Sequence, residues 1–171
     1  YEDYRVGYAA NSILGGGVTL GLIHEIDLIY SFLGVPKTIA AIGGKLSSLE
    51  MNVDDTVSVL MGFKDEGSVV PVSLFLSYAQ KHETRSIRMQ FVDGLLVCDL
   101  LSNSVIVYGS KQEILYQKEF GVIDRNEMFK DELVEFINAV KRHDTSGNSL
   151  RAGSETLAIA LRIRGEIDEQ T

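Results

Sequence analysis

The sequence predicts an α+β fold, and three observations predict it. An apolar run from Val18 to Leu33 has helical character, six or seven short β-rich runs follow between Lys37 and about Phe120, and the pattern then returns to two helical segments. Strands grouped together with helices at the ends differ from the alternating pattern of parallel α/β folds. The expected architecture is an open, largely antiparallel sheet of about six strands with helices packed on one face, as a single domain over residues 1–171.

Each element has a local reason. Tyr1 to Leu14 is polar and irregular, and Gly15-Gly16-Gly17 breaks the backbone before the apolar run. Val18 to Leu33 is apolar on almost every helical face and ends at Gly34 with Pro36 beyond, a helix stop. A helix this apolar needs cover on most sides. Thr38–Ile42, Thr56–Phe63, Val69–Tyr78, Ser86–Val92, Leu95–Leu101, Val105–Tyr108 and Ile114–Phe120 read as strands. Turn residues separate them at Lys64-Asp65-Glu66-Gly67, Asp93-Gly94, Ser102-Asn103-Ser104 and Gly109-Ser110. Asp93-Gly94 is the strongest hairpin signal. Asp124 or Asn126 caps a helix whose apolar face is Phe129, Leu133, Phe136, Ile137 and Val140. A polar loop, His143 to Asn148, precedes a last helix from about Ser154 to Ile167.

Several strands are apolar on both faces. In Val69–Tyr78, Val70, Val72, Leu74 and Leu76 point one way, and Val69, Pro71 and Phe75 the other. Helices cover one face; the second needs a partner, and a homodimer built sheet against sheet is the economical one, with covering loops as the alternative.

Composition narrows the function. With 16 Lys and Arg against 24 Asp and Glu the net charge is −8, which argues against nucleic acid and against an anionic membrane surface, both of which reward a basic face. The longest apolar run contains His24, Glu25 and Asp27, so it does not read as a membrane span. The single cysteine, Cys98, lies in an apolar run and reads as a buried thiol of a reducing cytoplasm. The opening at Tyr1 reads as mid-domain sequence, so the chain is expected to be a fragment.

One cluster suggests chemistry. On a helix, Gly21, His24, Asp27 and Ser31 form a narrow polar stripe among Val, Leu and Ile. Polar side chains so placed face a cavity or a polar partner, because burying them alone is costly. Histidine exchanges protons near neutral pH, and Gly21 leaves space beside it. A structural His–Asp pair is the plain alternative. His24 and Asp27 supply too few ligands for a metal, and His82 and His143 lie in polar loops without ligand spacing. The triple glycine could cradle a phosphate at a helix N-terminus, but it follows no strand and lacks the G-x-G-x-x-G spacing of a dinucleotide site.

Longer stretches carry a resemblance. Tyr4-Arg5, Tyr8-Ala9-Ala10, Leu14-Gly15-Gly16-Gly17-Val18, Leu22-Ile23-His24-Glu25-Ile26-Asp27-Leu28 and Leu33-Gly34 resemble the start of the C-terminal domain of the Gfo/Idh/MocA oxidoreductases, the glucose–fructose oxidoreductase and inositol dehydrogenase family. Val53-Asp54-Asp55-Thr56, Val92-Asp93-Gly94 and the run from Phe129 to Phe136 agree with it. The resemblance implies an N-terminal Rossmann domain that binds NAD or NADP, and a second domain, of this kind, that carries substrate contacts and an open sheet commonly used for dimerisation. It implies hydride transfer to or from a sugar or sugar-nucleotide, with His24 as acid/base, Tyr4, Arg5, Tyr8 and Asp27 near the substrate, no cofactor on this chain, and no activity of the chain alone. The family usually has an Asp one turn before the histidine, where this chain has Leu20 and Gly21. That departure keeps open a non-catalytic sugar-binding or dimerisation module.

Overall fold

The computed structural model describes residues 3–65, 67–122, 124–144 and 149–169. Glu66 of the first expected turn and positions 145–148 of the polar loop lie outside the described residues. In chain order come three short 3-10 turns (Tyr4–Val6, Tyr8–Ala10, Ser12–Leu14), α1 (Val18–Gly21), α2 (Ile23–Leu33), β1 (Thr38–Gly44), β2 (Thr56–Asp65), β3 (Ser68–Ser77), β4 (Ser86–Phe91), β5 (Gly94–Asp99), β6 (Ser104–Gly109), β7 (Ile114–Glu119), α3 (Arg125–Arg142) and α4 (Leu150–Asp168). The fold is α+β and antiparallel, as expected; among the described residues the seven strands form two sheets, β1-β2-β3 and β4-β5-β6-β7. The chain divides into two compact units, Tyr1–Gln80 with Asn148–Thr171, and Lys81–Gly147.

The first unit holds the core. Alternation along β2 buries Val57, Val59, Met61 and Phe63 and exposes Ser58 and Leu60. The register sets Val59 beside Ala41 and Leu74, so the inward residues of all three strands share one face. Ile159, Ala160, Ile163 and Ile167 of α4, Ile26 of α2 and Val18 of α1 close over that face. Burying an aliphatic side chain of this size stabilises by about 1.5–3 kcal/mol, so this one layer contact dominates the unit. α4 begins at Leu150, four residues before the expected start, because Ser149 Oγ accepts from the Ala152 amide at 3.1 Å.

The helix expected over Val18–Leu33 is two helices. Leu22, at ψ 30°, leaves helical geometry, and Ile23–Leu33 is bent by 49° from the segment ending at Gly21. The first helix stays bonded up to the break, with Gly21 donating to the Gly17 carbonyl at 2.8 Å and Leu22 to the Val18 carbonyl at 3.0 Å, and the Tyr78 hydroxyl donates to the same Gly17 carbonyl at 3.2 Å. No single helix among the described residues is long and apolar enough to cross a membrane.

The outer face of β1-β2-β3 is apolar and exposed. Ile42 (71% exposed), Leu60 (55%) and Phe75 (56%) point outward, with Val69 and Pro71 in the same layer.

The second unit pairs β4 through β7 as successive antiparallel strands. The hairpin expected at Asp93-Gly94 forms one residue earlier: Val92-Asp93 makes the turn, and Gly94 already pairs with Phe91. Gly94 is there for closeness rather than for a left-handed backbone, since a Cβ on it would overlap the Tyr108 carbonyl. Cys98 is half-buried on β5. Asp124, not Asn126, caps α3, accepting the Asn126 amide at 2.8 Å. The expected apolar face of α3 is present, but Phe129, Leu133, Phe136, Ile137 and Val140 are all exposed.

Candidate functional site

The turn into α1 is built by Asp54. Its Oδ2 accepts the Thr19 amide at 2.9 Å and the Thr19 hydroxyl at 2.7 Å, and its carbonyl accepts the Val18 amide at 2.8 Å. The carboxylate therefore occupies the N-terminus of the helix, where it meets partial positive charge. The triple glycine serves this packing and not a phosphate. A Cβ on Gly16 would overlap the Tyr8 carbonyl, and one on Gly17 (φ 110°) would overlap the Asp54 carboxylate. An anion is thus already in place and the backbone is filled in on both sides, so these residues do not fit a dinucleotide pyrophosphate.

Asp55, fully buried beside it, organises the loop after β1. Burial alone would raise its pKa; hydrogen bonds from the Ser47 hydroxyl (2.7 Å) and the Ser47 and Leu46 amides, with the Lys45 ammonium at 3.2 Å, outweigh this and lower it to about 2.

His24 is not buried: its side chain is 54% exposed, although the next turn of its helix carries Ile26 into the core. Its Nε2 lies 3.2 Å from Glu25 Oε1, so the ring is oriented by a carboxylate. The stripe expected to continue from it divides. Asp27 accepts the buried Thr156 hydroxyl at 2.8 Å and so faces α4, while Ser31 turns back onto the Leu28 carbonyl. Tyr30 and Arg151 both hold Glu155 one turn on, which makes the lower part of α2 a structural contact with α4. His24, Asp27 and Ser31 all keep exposed surface, but Asp27 bonds to α4 and Ser31 to its own helix, while the His24 imidazole meets Glu25.

The N-terminal residues separate likewise. Arg5 is already paired: its guanidinium meets Asp3 at 2.6 Å and Glu50 at 2.6 Å, which raises the arginine pKa and lowers that of Asp3. The Tyr4 hydroxyl accepts the Glu50 amide at 3.0 Å, tying the first turn to the same loop. Tyr8 is exposed and lies close enough to Tyr78 to influence its ionisation.

Tyr78 is the residue sequence reasoning missed. It follows β3 directly, is half-buried against the core, and donates to the Gly17 carbonyl. Its hydroxyl fills the place where residue 21 would carry a side chain, since a Cβ on Gly21 would overlap it. Burial, then Tyr8 and Asp54, push its pKa up, so it remains a neutral phenol across the physiological range. It reads in the sequence as the end of an apolar strand; the signal was a hydroxyl-bearing aromatic following Ser77, where the β run ends.

Among the described residues no three His, Cys, Asp or Glu side chains are placed to hold a metal ion. A separate cavity of about 190 Å³ is lined by Ser12, Lys45, Asn52, Asp54, Arg164 and Asp168, away from His24.

The three-stranded antiparallel sheet is backed by α4, against which α2 packs with His24 on its exposed side, and known proteins share this fold. The chain belongs to the GFO/IDH/MocA C-terminal domain family, whose pattern matches residues 3–114. No curated protein matches the sequence significantly. Among solved structures, UDP-N-acetylglucosamine 3-dehydrogenase GnnA from Acidithiobacillus ferrooxidans superposes with a TM-score of 0.74 at 20% identity, over 99% of this chain and 50% of that one. The WlbA dehydrogenase from Bordetella pertussis, solved with NADH and UDP-GlcNAcA, gives 0.54 at 16% identity, over 91% and 47%. The transcriptional regulator Gal80p from Kluyveromyces lactis gives 0.62 at 15%, over 92% and 45%. At these identities the likeness is one of fold, and the chain spans about half the length of each of these proteins.

Proposed function

We propose that this chain is the substrate-binding and oligomerisation domain of a cytoplasmic NAD(P)-dependent oxidoreductase acting on a sugar or sugar-nucleotide. The observation that carries the proposal is the His24 imidazole, outward at the edge of an otherwise greasy helix and oriented by Glu25. Family membership supports the reaction class, and GnnA and WlbA, both dehydrogenases described with UDP-sugars, supply the substrate class. The nicotinamide belongs to an N-terminal Rossmann domain, because the glycine turn of this chain is filled by its own carboxylate; the chain by itself is inactive. His24 holds or accepts the proton of the substrate hydroxyl whose carbon exchanges hydride, and Glu25 stabilises the ring when it is charged. Tyr8 borders the same site. Tyr4, Arg5 and Asp27 support it from behind, shaping loop and helix through their own partners. The open face of β1-β2-β3 joins a second copy.

A second reading has two observations in its favour. Neither Leu20 nor Gly21 offers a carboxylate one turn before His24, and a regulator, Gal80p, shares the fold. In that reading the domain binds a sugar or dimerises without chemistry. One assay separates the two: the full-length protein is offered NAD+ and NADP+ with a panel of UDP-sugars and free hexoses, beside His24→Ala. Turnover lost in the variant with folding intact supports the first reading; no turnover by either protein supports the second.

A further inference from the structure

We propose that Tyr78 is a substrate-binding residue of the same site, its hydroxyl serving beside His24 as a second hydrogen-bonding group for a polyhydroxylated ligand. The proposal rests on the reading of His24 just given.

Three features converge on this one phenol. Its oxygen is lodged in the space of the missing side chain at Gly21, three residues before His24 and across the turn at Leu22. Its single proton is committed to the Gly17 carbonyl at 3.2 Å, so its lone pairs are what it can offer a ligand, and a substrate hydroxyl is a matching donor. Exposed Tyr8, from the N-terminal turns, is among the groups that, after burial, raise the pKa of this phenol and keep it neutral. Gly21 costs helix stability, and the space it leaves admits a hydroxyl from the end of β3 to the segment that leads into α2. Two neighbouring oxygens of a sugar ring then have separate partners: one donates to Tyr78 Oη while the other meets the imidazole.

The test uses the full-length protein with UDP-N-acetylglucosamine as the probe, in steady-state kinetics and in calorimetric binding. Tyr78→Phe is expected to raise KM by about five- to tenfold, the worth of one neutral hydrogen bond, with a smaller fall in kcat. Gly21→Ala tests the same point with the tyrosine kept: its methyl displaces the hydroxyl and should raise KM alike, which keeps the test intact should Tyr78→Phe fold poorly. In Gly21→Ala/Tyr78→Phe the methyl would meet only the ring, 3.2 Å from Cζ, so the double variant should be no worse than either single one. Wild-type turnover with unchanged KM in Tyr78→Phe and Gly21→Ala overturns this proposal alone. Absence of both turnover and binding in the wild type, with this probe and with every sugar of the panel above, overturns the functional reading, and this proposal with it.

Discussion

Asp54 Oδ2 accepts both the amide and the hydroxyl of Thr19, at 2.9 and 2.7 Å, and both residues are buried. One carboxylate at the start of β2 thereby fixes the N-terminus of the helix that leads to His24. Asp54→Ala leaves two buried donors unsatisfied and removes a helix cap, so it should destabilise by about 2–3 kcal/mol, against less for Asp54→Asn. Urea denaturation of the two variants checks the ranking.

The three glycines before α1 should not respond alike. Gly15 has φ 76° and open space around it, so Gly15→Ala should cost only the left-handed backbone penalty, about 1 kcal/mol. Gly17, at φ 110° and ψ 156°, lies in a region nearly exclusive to glycine, and a Cβ there would overlap Asp54. Gly17→Ala should cost clearly more than Gly15→Ala. Equal melting temperatures for the two variants would contradict the packing described here.

Asp55 gives the protein an acid limb. Its pKa is about 2 in the folded chain against an ordinary 3.8, so its contribution is complete above the ordinary value and is lost as pH falls from about 3.8 through about 2. Asp55→Asn should be less stable than wild type near neutrality, and the gap between the two should close across that window. Denaturation midpoints recorded from pH 5 to 2 measure it.

The exposed outer face of β1-β2-β3 should be an interface. Leu60→Glu or Phe75→Glu places a charge in the outward apolar layer while leaving the core face untouched. Sedimentation should show a dimer for the wild type and a monomer for either variant, with the melting of the monomer still cooperative. A wild-type monomer would leave this face without the partner assigned to it.

How far the sequence carried these conclusions depended on whether an effect was local. Period-two alternation separated Val70, Val72, Leu74 and Leu76 from Val69, Pro71 and Phe75 on the two faces of β3, and the apolar spacing of Phe129, Leu133 and Val140 placed α3, because both are properties of a single element. Long-range partners were out of reach. Nothing near Asp27 announces Thr156, 129 residues away, and nothing near Gly21 announces Tyr78. The stripe from Gly21 to Ser31 was drawn on a straight helix, but the turn at Leu22 sets Gly21 on α1 apart from His24, Asp27 and Ser31 on α2, and Asp27 is bonded to α4. Arg5 had the charge to grip an anion, but Asp3 and Glu50 already hold it. Gly94 was read as a turn glycine, whereas it makes room for the Tyr108 carbonyl.

The central claim is that the outward edge of α2 at His24 is where substrate chemistry occurs. A crystal structure of the full-length protein with its nicotinamide cofactor and the UDP-sugar it turns over tests this most directly. The account predicts the reacting hydroxyl within about 2.6–3.2 Å of a His24 ring nitrogen, with a neighbouring oxygen on Tyr78 Oη. A sugar ring seated elsewhere, with the imidazole still facing only Glu25 and solvent, would contradict it.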